Sequence, residues 1–488
     1  MKKVWAFDIG ASNGRLMLCQ YDGEQLILDE IYRFANHPVS LTNHYYWDIL
    51  HIYNEMKKAM QASLQAGHEV ESLGIDTWGV DFGLLSATGE LLANPYCYRD
   101  PQNKFGMEKF HEWMSEEELF TLTGVESAPI NSLYQLFTIK EQSPGLLEQA
   151  DTLLLTPNLL TYFFTGTKAS EFTISSTTQL LDIHQEDWSK QLISLLGVKD
   201  NLFAKIVPSL TIAGSTLPDI NRELQMDPVQ VIHVAGHDTA SALAALPIED
   251  DYSVFMSCGT WSLIGIPVKK ALTTPNARRW GFTNEGTMDG TYRLLKNNMG
   301  MWLLQQSRLI WERDGIRTNY MEENQLFQQA TPFRSLIDPD DPRFFNPENM
   351  LVELRAYCRE TEQPIPQSRG EIIRCIIDSL VMKYKLVIDQ LETLVERKIK
   401  RIHIGGGVTK NQQLCQTIAD ATDREIIAGP IEASAVGNAL GQLIALGEIR
   451  DGKEAKSIVK KSFPINSYLP NHDQYWQNAY TQFKELIE

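Results

Sequence analysis

The alternation of apolar and polar positions at the start of the chain predicts a strand, a turn and two further strands. A mainly apolar run, KVWAFDIG, is followed by the turn ASNG. Apolar and polar residues then alternate on both sides of a glycine-bearing turn in RLMLCQYDGEQLILDEIYRF. This pattern favours antiparallel strands over a strand-to-helix unit. YYWDILHIYNEMKKAMQASLQAG then has helical spacing and stops at Gly67, a plausible helix C-cap. VESLGIDTWGVDFGLLSATGELL predicts a buried strand followed by another hairpin.

A similar opening recurs halfway along the chain. Residues 251–268, DYSVFMSCGTWSLIGIPV, predict an apolar strand, a turn holding Gly259 and a second apolar strand. The run ALPIEDDYS just before it contains Pro247 and three acidic residues, which makes it a candidate boundary. We therefore predict two domains of related architecture, residues 1–247 and 248–488.

Helical spacing dominates the second half. From Glu371 to Arg397, apolar residues recur in alternating steps of four and three, which predicts a long helix with one buried face. KRIHIGGGVTKNQQLCQTIADAT predicts a strand, a triple-glycine turn and a helix, and IEASAVGNALGQLIALGEI predicts a helix packed closely through alanine and glycine. Residues 332–367 are rich in Pro, Asp and Asn and predict an ordered loop. The fold class is α/β, with mixed sheets covered by helices in both halves.

Composition and charge narrow the class of protein. A chain of 488 residues exceeds what one core supports, in agreement with two domains. The net charge of −18 argues against a surface for duplex nucleic acid or an anionic membrane, although backbone N–H groups can still hold a nucleotide. The chain has no signal-peptide core, no apolar run near 18 residues and six cysteines without C-x-x-C spacing. We expect a soluble, cytoplasmic protein without a disulfide scaffold or zinc site.

Three glycine-bearing turns are candidate phosphate or base contacts. In FDIGASNGR, Asp8 ends a buried strand, and Gly10, Ser12 and Gly14 leave room for a phosphate; an ordinary hairpin turn is the alternative. In FMSCGTWSLIG, Thr260 could donate to a phosphate, but a plain hairpin explains the stretch as well. In HIGGGVTKN, three consecutive glycines exceed what a turn requires and favour a flat ligand lying against bare backbone.

The stretch VIHVAGHDTASALAAL places a carboxylate between a strand and a helix of small residues. Asp238 could simply be the N-cap of that helix. That alternative leaves His237 and the small Gly236 unexplained. A carboxylate fixed at a helix N-terminus can instead accept a hydroxyl proton as the oxygen attacks phosphorus, while His237 and Thr239 hold neighbouring hydroxyl groups.

Two further stretches could contact a sugar. GIDTWGVDFG sets Asp76, Trp78, Gly79 and Asp81 at a strand-to-hairpin junction, where polar groups beside an aromatic ring suit a polyol. A core tryptophan with turn aspartates explains the same residues equally well. LKNNMGMWLLQQ adds Asn297 and Gln305 on a segment that otherwise reads as core.

The order of these motifs resembles that of the FGGY family of carbohydrate kinases over essentially the whole chain. DIGASNGR, GIDTWGVDFGLL, NSLYQL, HDTASA, GTWSL, RLLKNNMGMWLLQ, DPDDPRFFNPENM, IGGG and AGPIEASAVGN carry the resemblance. DTWGVDF together with HDTASA and NMGMWLLQ is similar to the branch that acts on L-rhamnulose. The resemblance implies two ribonuclease-H-like domains, as in actin, hexokinase and chaperone ATPases, with the active site in the cleft between them. It further implies a sugar-binding N-terminal domain and a C-terminal domain that holds most of the ATP, with Mg²⁺.

The resemblance also implies roles for individual residues. Asp238 matches the catalytic base, and Asp8 matches an aspartate near Mg²⁺, usually acting through water. The positions that hold the ketose are matched by Gly79, His237, Asp238, Thr239 and Asn297. The nucleotide contacts are matched by Ala11, Ser12, Asn13, Gly14, Arg15, Thr260, Gln305 and Gly406. The implied reaction, part of L-rhamnose catabolism, transfers the γ-phosphoryl group of ATP to the 1-hydroxyl of L-rhamnulose.

Three alternatives stay open at this point. Another ketose kinase, such as a fuculokinase, would share the motifs. An actin-like or chaperone-like ATPase would hydrolyse ATP without sugar, and a catalytically silent sugar sensor would bind without reacting. We expect small-molecule partners rather than nucleic acid or membrane, and either a monomer or a homodimer.

Overall fold

A computed structural model describes residues 1–317 and 319–487. The chain divides into two compact units. The first unit comprises Met1–Pro247 together with two later segments, Pro267–Leu294 and Glu432–Phe463. The second comprises Ile248–Ile266, Leu295–Ile431 and Pro464–Glu488, of which Glu488 lies outside the described residues. The division at 247/248 into domains of separate function stays a prediction.

The strands are β1 Lys2–Ile9, β2 Asn13–Tyr21, β3 Leu26–Ala35, β4 Val39–Leu41, β5 His44–Tyr46, β6 Ser72–Thr77, β7 Phe82–Leu85, β8 Thr152–Leu155, β9 Ser170–Glu171, β10 Leu181–Asp182, β11 Asp187–Trp188, β12 Ile206–Val207, β13 Thr211–Ser215, β14 Gln230–His233, β15 Ser253–Cys258, β16 Trp261–Val268, β17 Thr283–Gly286, β18 Tyr292–Met299, β19 Arg401–Gly405, β20 Glu425–Ala428 and β21 Asn466–Tyr468.

The α-helices are α1 Ile49–Gln65, α2 Gln102–Phe110, α3 Glu116–Thr123, α4 Ser132–Gln142, α5 Pro144–Gln149, α6 Thr156–Thr165, α7 Phe172–Ser175, α8 Lys190–Leu196, α9 Pro218–Leu224, α10 Asp238–Ala245, α11 Pro275–Arg279, α12 Trp302–Arg313, α13 Tyr320–Gln329, α14 Met350–Glu360, α15 Arg369–Val395, α16 Gln412–Thr422, α17 Ala433–Ala445, α18 Gly452–Ser462 and α19 Gln474–Ile487. Short 3₁₀ turns cover Asp200–Leu202, Pro342–Phe344 and Gly407–Lys410.

The first unit is built on a six-stranded mixed sheet in the order β13-β14-β6-β1-β2-β3. The hairpins β1–β2 and β2–β3 are antiparallel, as their alternation predicts, whereas β6 runs parallel to both β1 and β14. Both faces of β1 are covered: Trp5 and Phe7 pack in the cluster that contains α1, and Val4 and Ala6 pack in the cluster that contains α17 and α18. This two-sided burial explains why β1 reads as almost continuously apolar.

Helices α10 and α17 pack with their backbones nearly touching. A Cβ atom added at Gly437 of α17 would lie 1.7 Å from the carbonyl oxygen of Ser241 in α10. The close packing predicted from the alanines and glycines of this segment is confirmed. It fixes the helix that begins at Asp238 against the sheet.

A seven-stranded sheet has the order β17-β18-β16-β15-β19-β20-β21. Its β15–β16 hairpin is antiparallel and is followed by the parallel strands β19 and β20, so the predicted repeat of the opening is present. Helix α15 confirms the predicted long helix. It begins with a capping box between Ser368 and Glu371 and buries Ile373, Ile377 and Leu380 along one face.

One prediction from the sequence is confirmed with an addition, and another needs correction. The hairpin expected after β6 is present, closed by a bridge between Leu85 and Leu91 and a hydrogen bond from Leu92 N to Leu84 O over 3.0 Å, and β7 also pairs with the distant β8. The expected loop at 332–367 contains α14, because Asn349 caps a helix whose residues Met350, Leu354 and Tyr357 are buried. The abundance of Pro and Asp in this segment concealed that spacing.

Two global features bear on the predicted class of protein. No helix among the described residues is long and apolar enough to cross a membrane. The six cysteine side chains are buried free thiols.

Candidate active site

Register brings three charged side chains of the first unit into one row. In the parallel pair β1–β6, Asp8 lies opposite Asp76, and in the antiparallel pair β1–β2, Asp8 lies opposite Arg15. The Arg15 guanidinium forms short ion pairs with Asp8 and with Glu432, the N-cap residue of α17. Arg15 thus lies between the carboxylates of Glu432 and Asp8, and Asp76 lies opposite Asp8 on the neighbouring strand.

Burial dominates the protonation of the two aspartates in this row. Desolvation raises the pKa of Asp8 above its ordinary value; the Arg15 charge opposes this, and the negative charge of Asp238 adds to it. Desolvation and then the charge of Asp8 hold the pKa of Asp76 well above its usual range, although the Asn438 amide donates to Asp76 Oδ2 over 2.6 Å. Asp76 is fully buried, so it faces the protein interior rather than a ligand.

A short polar chain from α17 supports Asp76. Gln442 Nε2 donates to Asn438 Oδ1 over 2.7 Å, and Ser72 Oγ donates to Gln442 Oε1 over 2.7 Å. The missing side chain at Gly74 makes this possible, because a Cβ there would lie 2.6 Å from Asn438 Oδ1. One face of α17 thus fixes both the strand and the carboxyl group on it.

The stretch GIDTWGVDFG folds mainly into core. Asp81 is buried and accepts hydrogen bonds from both Trp47 Nε1 and Trp78 Nε1 and from Gln135 Nε2. Together with the burial of Asp76, this favours the core alternative over a sugar contact for Asp76, Trp78 and Asp81. Burial raises the pKa of Asp81 to about 6.

Gly79 differs from its neighbours because it is only half-buried. Asp81 N donates to the Gly79 carbonyl over 2.9 Å, which closes a three-residue turn around Val80, a residue at φ +68°. A non-glycine residue in this region is strained by about 1–3 kcal/mol, and such strain clusters at functional sites. The assignment of Gly79 to sugar binding stays a prediction.

The loop before α10 is held by a network of hydrogen bonds. Glu171, fully buried, accepts from the Gly236 backbone N–H over 3.0 Å, and the Gly236 carbonyl accepts from Thr77 N over 2.9 Å. A Cβ at Gly236 would lie 3.0 Å from Glu171 Oε2, so a small residue is required here. The loop therefore meets the end of β6 in one defined geometry.

This loop presents Asp238 at the first turn of α10. The N-cap is His237 rather than Asp238, so the alternative of a simple capping aspartate is wrong. The Asp238 side chain is 30% exposed, and its Oδ1 accepts from Thr239 Oγ1 over 3.0 Å and lies 3.4 Å from His237 Nε2. The structure thus brings together His237, Asp238 and Thr239. The negative charge of Asp238 also contributes to the raised pKa of Asp8.

The turn between β1 and β2 and the start of β2 carry the predicted nucleotide contacts: Ala11 and Ser12 lie in the turn, and Asn13, Gly14 and Arg15 begin β2. Ser12 is exposed, and Gly10 N donates to Asn13 O over 2.9 Å. In the Cβ direction of Gly14 the space is filled by the ring of Phe34, 2.2 Å from an added Cβ, so packing requires glycine here. The assignment of Gly14 to the nucleotide stays a prediction.

The second unit contains the other predicted contacts. Thr260 and Gln305 meet directly, since Thr260 Oγ1 donates to Gln305 Oε1 over 3.2 Å. Gly406 adopts φ +84° and ψ −171°, and no atom lies within 4 Å of the Cβ position at either Gly406 or Gly407. Asn297 is an exposed residue of β18 with no hydrogen bond to the other predicted residues of this unit in the part that the structure describes.

An open cavity lies in the same unit. It is lined by residues of α12, α13, α15 and the start of α16, among them Met301, Arg308, Phe327 and Asn411. Gln305 belongs to the same helix as Met301 and Arg308, and Asn411 follows the glycine turn by five residues. Sequence reasoning did not find this cavity.

Sequence reasoning also missed polar residues that support the site. Glu171, Glu285, Arg293, Glu432 and Asn438 belong to this group. Glu285 and Arg293 did leave a signal, as opposite charges two residues outside the hairpin turn TMDGT. The others are distant in sequence from their partners and left none.

Family models match both halves of the chain. The N-terminal domain of the FGGY family of carbohydrate kinases matches residues 4–245, and the C-terminal domain of that family matches residues 254–446. The chain belongs to the FGGY family of carbohydrate kinases. It is therefore an enzyme of the carbohydrate kinase class, as the motif order indicated.

The chain is similar over its full length to curated relatives named rhamnulokinase. It is 39% identical to that of Bacteroides thetaiotaomicron, with 100% of this chain and 99% of the relative covered. It is 39% identical to that of Oceanobacillus iheyensis, over 95% and 97%, and 38% identical to that of Enterococcus faecalis, over 98% and 96%.

Solved structures confirm the two-domain FGGY fold. The ligand-bound xylulose kinase of Lactobacillus acidophilus superposes with a TM-score of 0.82 at 16% identity, covering 100% of this chain and 98% of that one. The glycerol kinase of Plasmodium falciparum with ADP superposes with a TM-score of 0.80 at 14% identity, covering 100% and 97%.

Proposed function

We propose that this enzyme transfers the γ-phosphoryl group of ATP to the 1-hydroxyl of L-rhamnulose, giving L-rhamnulose 1-phosphate and ADP. The observation that carries the proposal is full-length identity of 36–39% to relatives named rhamnulokinase. The geometry agrees with the reaction, because a partly exposed carboxylate stands at a helix N-terminus beside an imidazole and a hydroxyl group.

The proposed chemical step uses Asp238 as the general base. Its carboxylate accepts the proton of the 1-hydroxyl as that oxygen bonds to the γ-phosphorus, and the bond from this phosphorus to the leaving ADP oxygen breaks. In a loose transition state the hydroxyl loses its proton late, so an ionised carboxylate at hydrogen-bond distance suffices. His237 and Thr239 orient that carboxylate, and they and Gly79 are proposed to hold the ketose together with Asn297.

The nucleotide is proposed to bind through residues of both sequence halves. Residues 11–15, with Thr260, would donate to the phosphates. Bare backbone at Gly406 and Gly407 suits the flat face of adenine. We thus assign sugar binding to residues 1–247 and most of the nucleotide binding to residues 248–488.

Asp8 fits a role toward Mg²⁺ that accompanies ATP. Among the described residues no group of three or more His, Cys, Asp or Glu is placed to hold a metal, which argues against a cage made by protein alone. Mg²⁺ is commonly held by one or two carboxylates together with substrate phosphates. Asp8 is a carboxyl group close enough to Asp238 for the charge of Asp238 to raise its pKa. When bound, the ion would neutralise charge on the phosphate oxygens.

The setting of the enzyme is also proposed rather than established. A role in L-rhamnose catabolism follows from the proposed reaction, and a cytoplasmic location follows from the sequence. Neither a monomer nor a homodimer is favoured.

A coupled ADP-release assay tests the reaction. Mg·ATP is supplied without sugar and then with L-rhamnulose, L-fuculose, L-ribulose, D-xylulose or glycerol. We expect a strong preference for L-rhamnulose and little ADP release without sugar. A clear preference for another acceptor would overturn the substrate, and sugar-independent release would favour the ATPase alternative.

A further inference from the structure

The β17–β18 hairpin sets a buried carboxylate opposite a buried guanidinium. Thr287 N donates to Thr291 O over 2.9 Å and closes the turn, so Glu285 and Arg293, each two residues farther out, lie opposite one another. Arg293 is fully buried, and its Nη2 donates to Glu285 Oε2 over 2.5 Å. Arg293 is the first residue of the motif RLLKNNMGMWLLQ, but the proposed function gives neither Glu285 nor Arg293 a role.

Both side chains reach the same nitrogen of His237. Arg293 Nη2 lies 2.6 Å from His237 Nδ1, and Glu285 Oε2 lies 3.2 Å from it. The shorter of the two contacts is to the guanidinium, which can only donate. With Nδ1 as its acceptor, the ring proton of a neutral imidazole is on Nε2. This tautomer follows from the hydrogen-bond partners. His237 Nε2 lies 3.4 Å from Asp238 Oδ1.

The consequence reaches the proposed base. Thr239 Oγ1–H donates to Asp238 Oδ1 over 3.0 Å, and His237 Nε2 lies 3.4 Å from the same oxygen. Among the described residues no hydrogen bond reaches Oδ2, which leaves that oxygen available to a substrate hydroxyl. The orientation of His237 thus selects which carboxylate oxygen can accept the proton.

Stability alone does not account for this arrangement. A buried ion pair is seldom better than an apolar pair of the same volume, and buried donors without partners cost free energy. Arg293 Nε and Nη1 have no hydrogen-bond partner in the part of the chain that the structure describes. Burial of the guanidinium therefore costs free energy, and its only hydrogen-bonded nitrogen among the described residues, Nη2, contacts Glu285 and His237.

We propose that Arg293 and Glu285 are positioning residues of the phosphoryl transfer, which hold His237 as the Nε2–H tautomer directed at Asp238. The glutamate compensates the charge of the arginine, and the arginine supplies the donor that fixes Nδ1. The inference rests on the proposed function for its kinetic consequence, whereas the tautomer itself is a property of the protein without substrate.

Kinetics of Arg293→Met and Arg293→Lys test the inference. A misplaced catalytic group costs on the order of 10²-fold, so we expect Arg293→Met to lower kcat ~10- to 100-fold with the KM for ATP unchanged. Lysine keeps a donor and a charge and should restore part of kcat. The control is Arg424→Met, which breaks a comparably buried pair, Arg424 Nη2 to Glu392 Oε1 at 2.7 Å, in the second unit. A kcat for Arg293→Met within twofold of that of the control overturns the inference.

A second measurement does not depend on activity. ¹⁵N signals of the imidazole rings, with His237 assigned by its loss in His237→Gln, report which nitrogen carries the proton. We expect Nε2–H in the wild type and a mixture of tautomers in Arg293→Met, or in Glu285→Gln if the first variant does not fold. Nδ1–H in the wild type overturns the inference even if L-rhamnulose is phosphorylated. If another sugar is the substrate, the kinetics are repeated with that sugar and the proposed function fails alone.

Discussion

At the scale of single residues, position relative to solvent separates the acids of this site. Asp76 and Asp81 are buried and hydrogen-bonded within the protein, whereas the Asp238 side chain is 30% exposed. All three follow strand-like runs and look alike in the sequence. Asp238 stands out because a glycine and a histidine precede it, and that local signal was enough to select it.

Asp238→Asn keeps the shape of the side chain but removes a strong proton acceptor. Loss of a general base typically costs ~10²–10⁴-fold, so we expect kcat with L-rhamnulose to fall by that factor while sugar binding and thermal stability stay close to wild type. Steady-state kinetics and a thermal melt measure both. Asp219→Asn, at a side chain 85% exposed on α9, is the control and should leave kcat unchanged. A variant within a few-fold of wild type would remove Asp238 from the mechanism.

Glu285 links stability to pH. Burial opposes its ionisation, but the charge of Arg293 acts against burial, and the pKa of Glu285 is lowered from 4.5 to about 2. The pKa is depressed in the folded protein, so the stabilisation is present above about pH 4.5 and is lost as the pH falls toward 2. Urea denaturation of wild type and Glu285→Gln should show their difference in unfolding free energy shrinking by ~2 kcal/mol between pH 5 and pH 3. A difference that does not change with pH contradicts the ionised pair.

At the scale of elements, local periodicity was sufficient to predict a strand or helix wherever its partners were near in sequence. The β1–β2 hairpin and helix α15 follow from alternation and from 3.6-residue spacing. The partner of β7 was not predictable, because β8 lies some seventy residues away and nothing local encodes that pairing. Helix α14 was not predicted for another reason: turn-forming residues on either side of its cap and apolar positions made the whole segment resemble a loop.

Contact between α10 and α17 leaves no room for a side chain at Gly437. An ideal Cβ there would overlap the Ser241 carbonyl at 1.7 Å, so Gly437→Ala must shift one helix. Overpacking costs about 1–3 kcal/mol, and we expect at least the upper part of that range in urea denaturation. Because α10 begins at Asp238, kcat should fall as well. Gly452→Ala, at a helix position with no atom within 4 Å, should be neutral or stabilising. Equal stability of the two variants contradicts the packing argument.

The turn after β19 tests the base-binding proposal. Gly406→Ala adds a methyl group into open space but forces a backbone conformation that glycine alone adopts readily, at φ +84° and ψ −171°. If adenine lies on this backbone, the KM for ATP should rise about 10-fold while the KM for L-rhamnulose stays constant. Gly447→Ala, also at positive φ in open surroundings but after α17, controls for backbone strain. An unchanged KM for ATP argues against the proposed base contact.

At the scale of the whole molecule, the site is assembled by register and by chain return. Asp8, Arg15 and Asp76 come from three strands, and Glu432 and Asn438 return to them from more than 350 residues away in sequence. The family fold, with both halves matched, follows from motif order along the chain. The supporting shell does not, because its residues are ordinary buried polar groups until the fold brings them together.

The assignment of sugar to one half and nucleotide to the other predicts separable defects. His237→Ala should raise the KM for L-rhamnulose and leave the KM for ATP within about twofold, whereas Thr260→Ala should do the reverse. Changes at sites without shared partners add within about 0.3–0.5 kcal/mol, so the double variant should show both defects without extra loss. Steady-state kinetics with each substrate varied in turn measures this. Thr260→Ala acting on the sugar KM instead would contradict the division of roles.

The sequence by itself determined the hairpins, the long helices, the family and the choice of Asp238, because these depend on residues close together in the chain. Only the tertiary structure decided the surroundings of those residues. It buried Asp76 and Asp81, filled the space at Gly14 with Phe34, and set Glu285 and Arg293 on His237. Burial and hydrogen-bond partners arise from long-range register and packing, and a single sequence does not encode them in any local pattern.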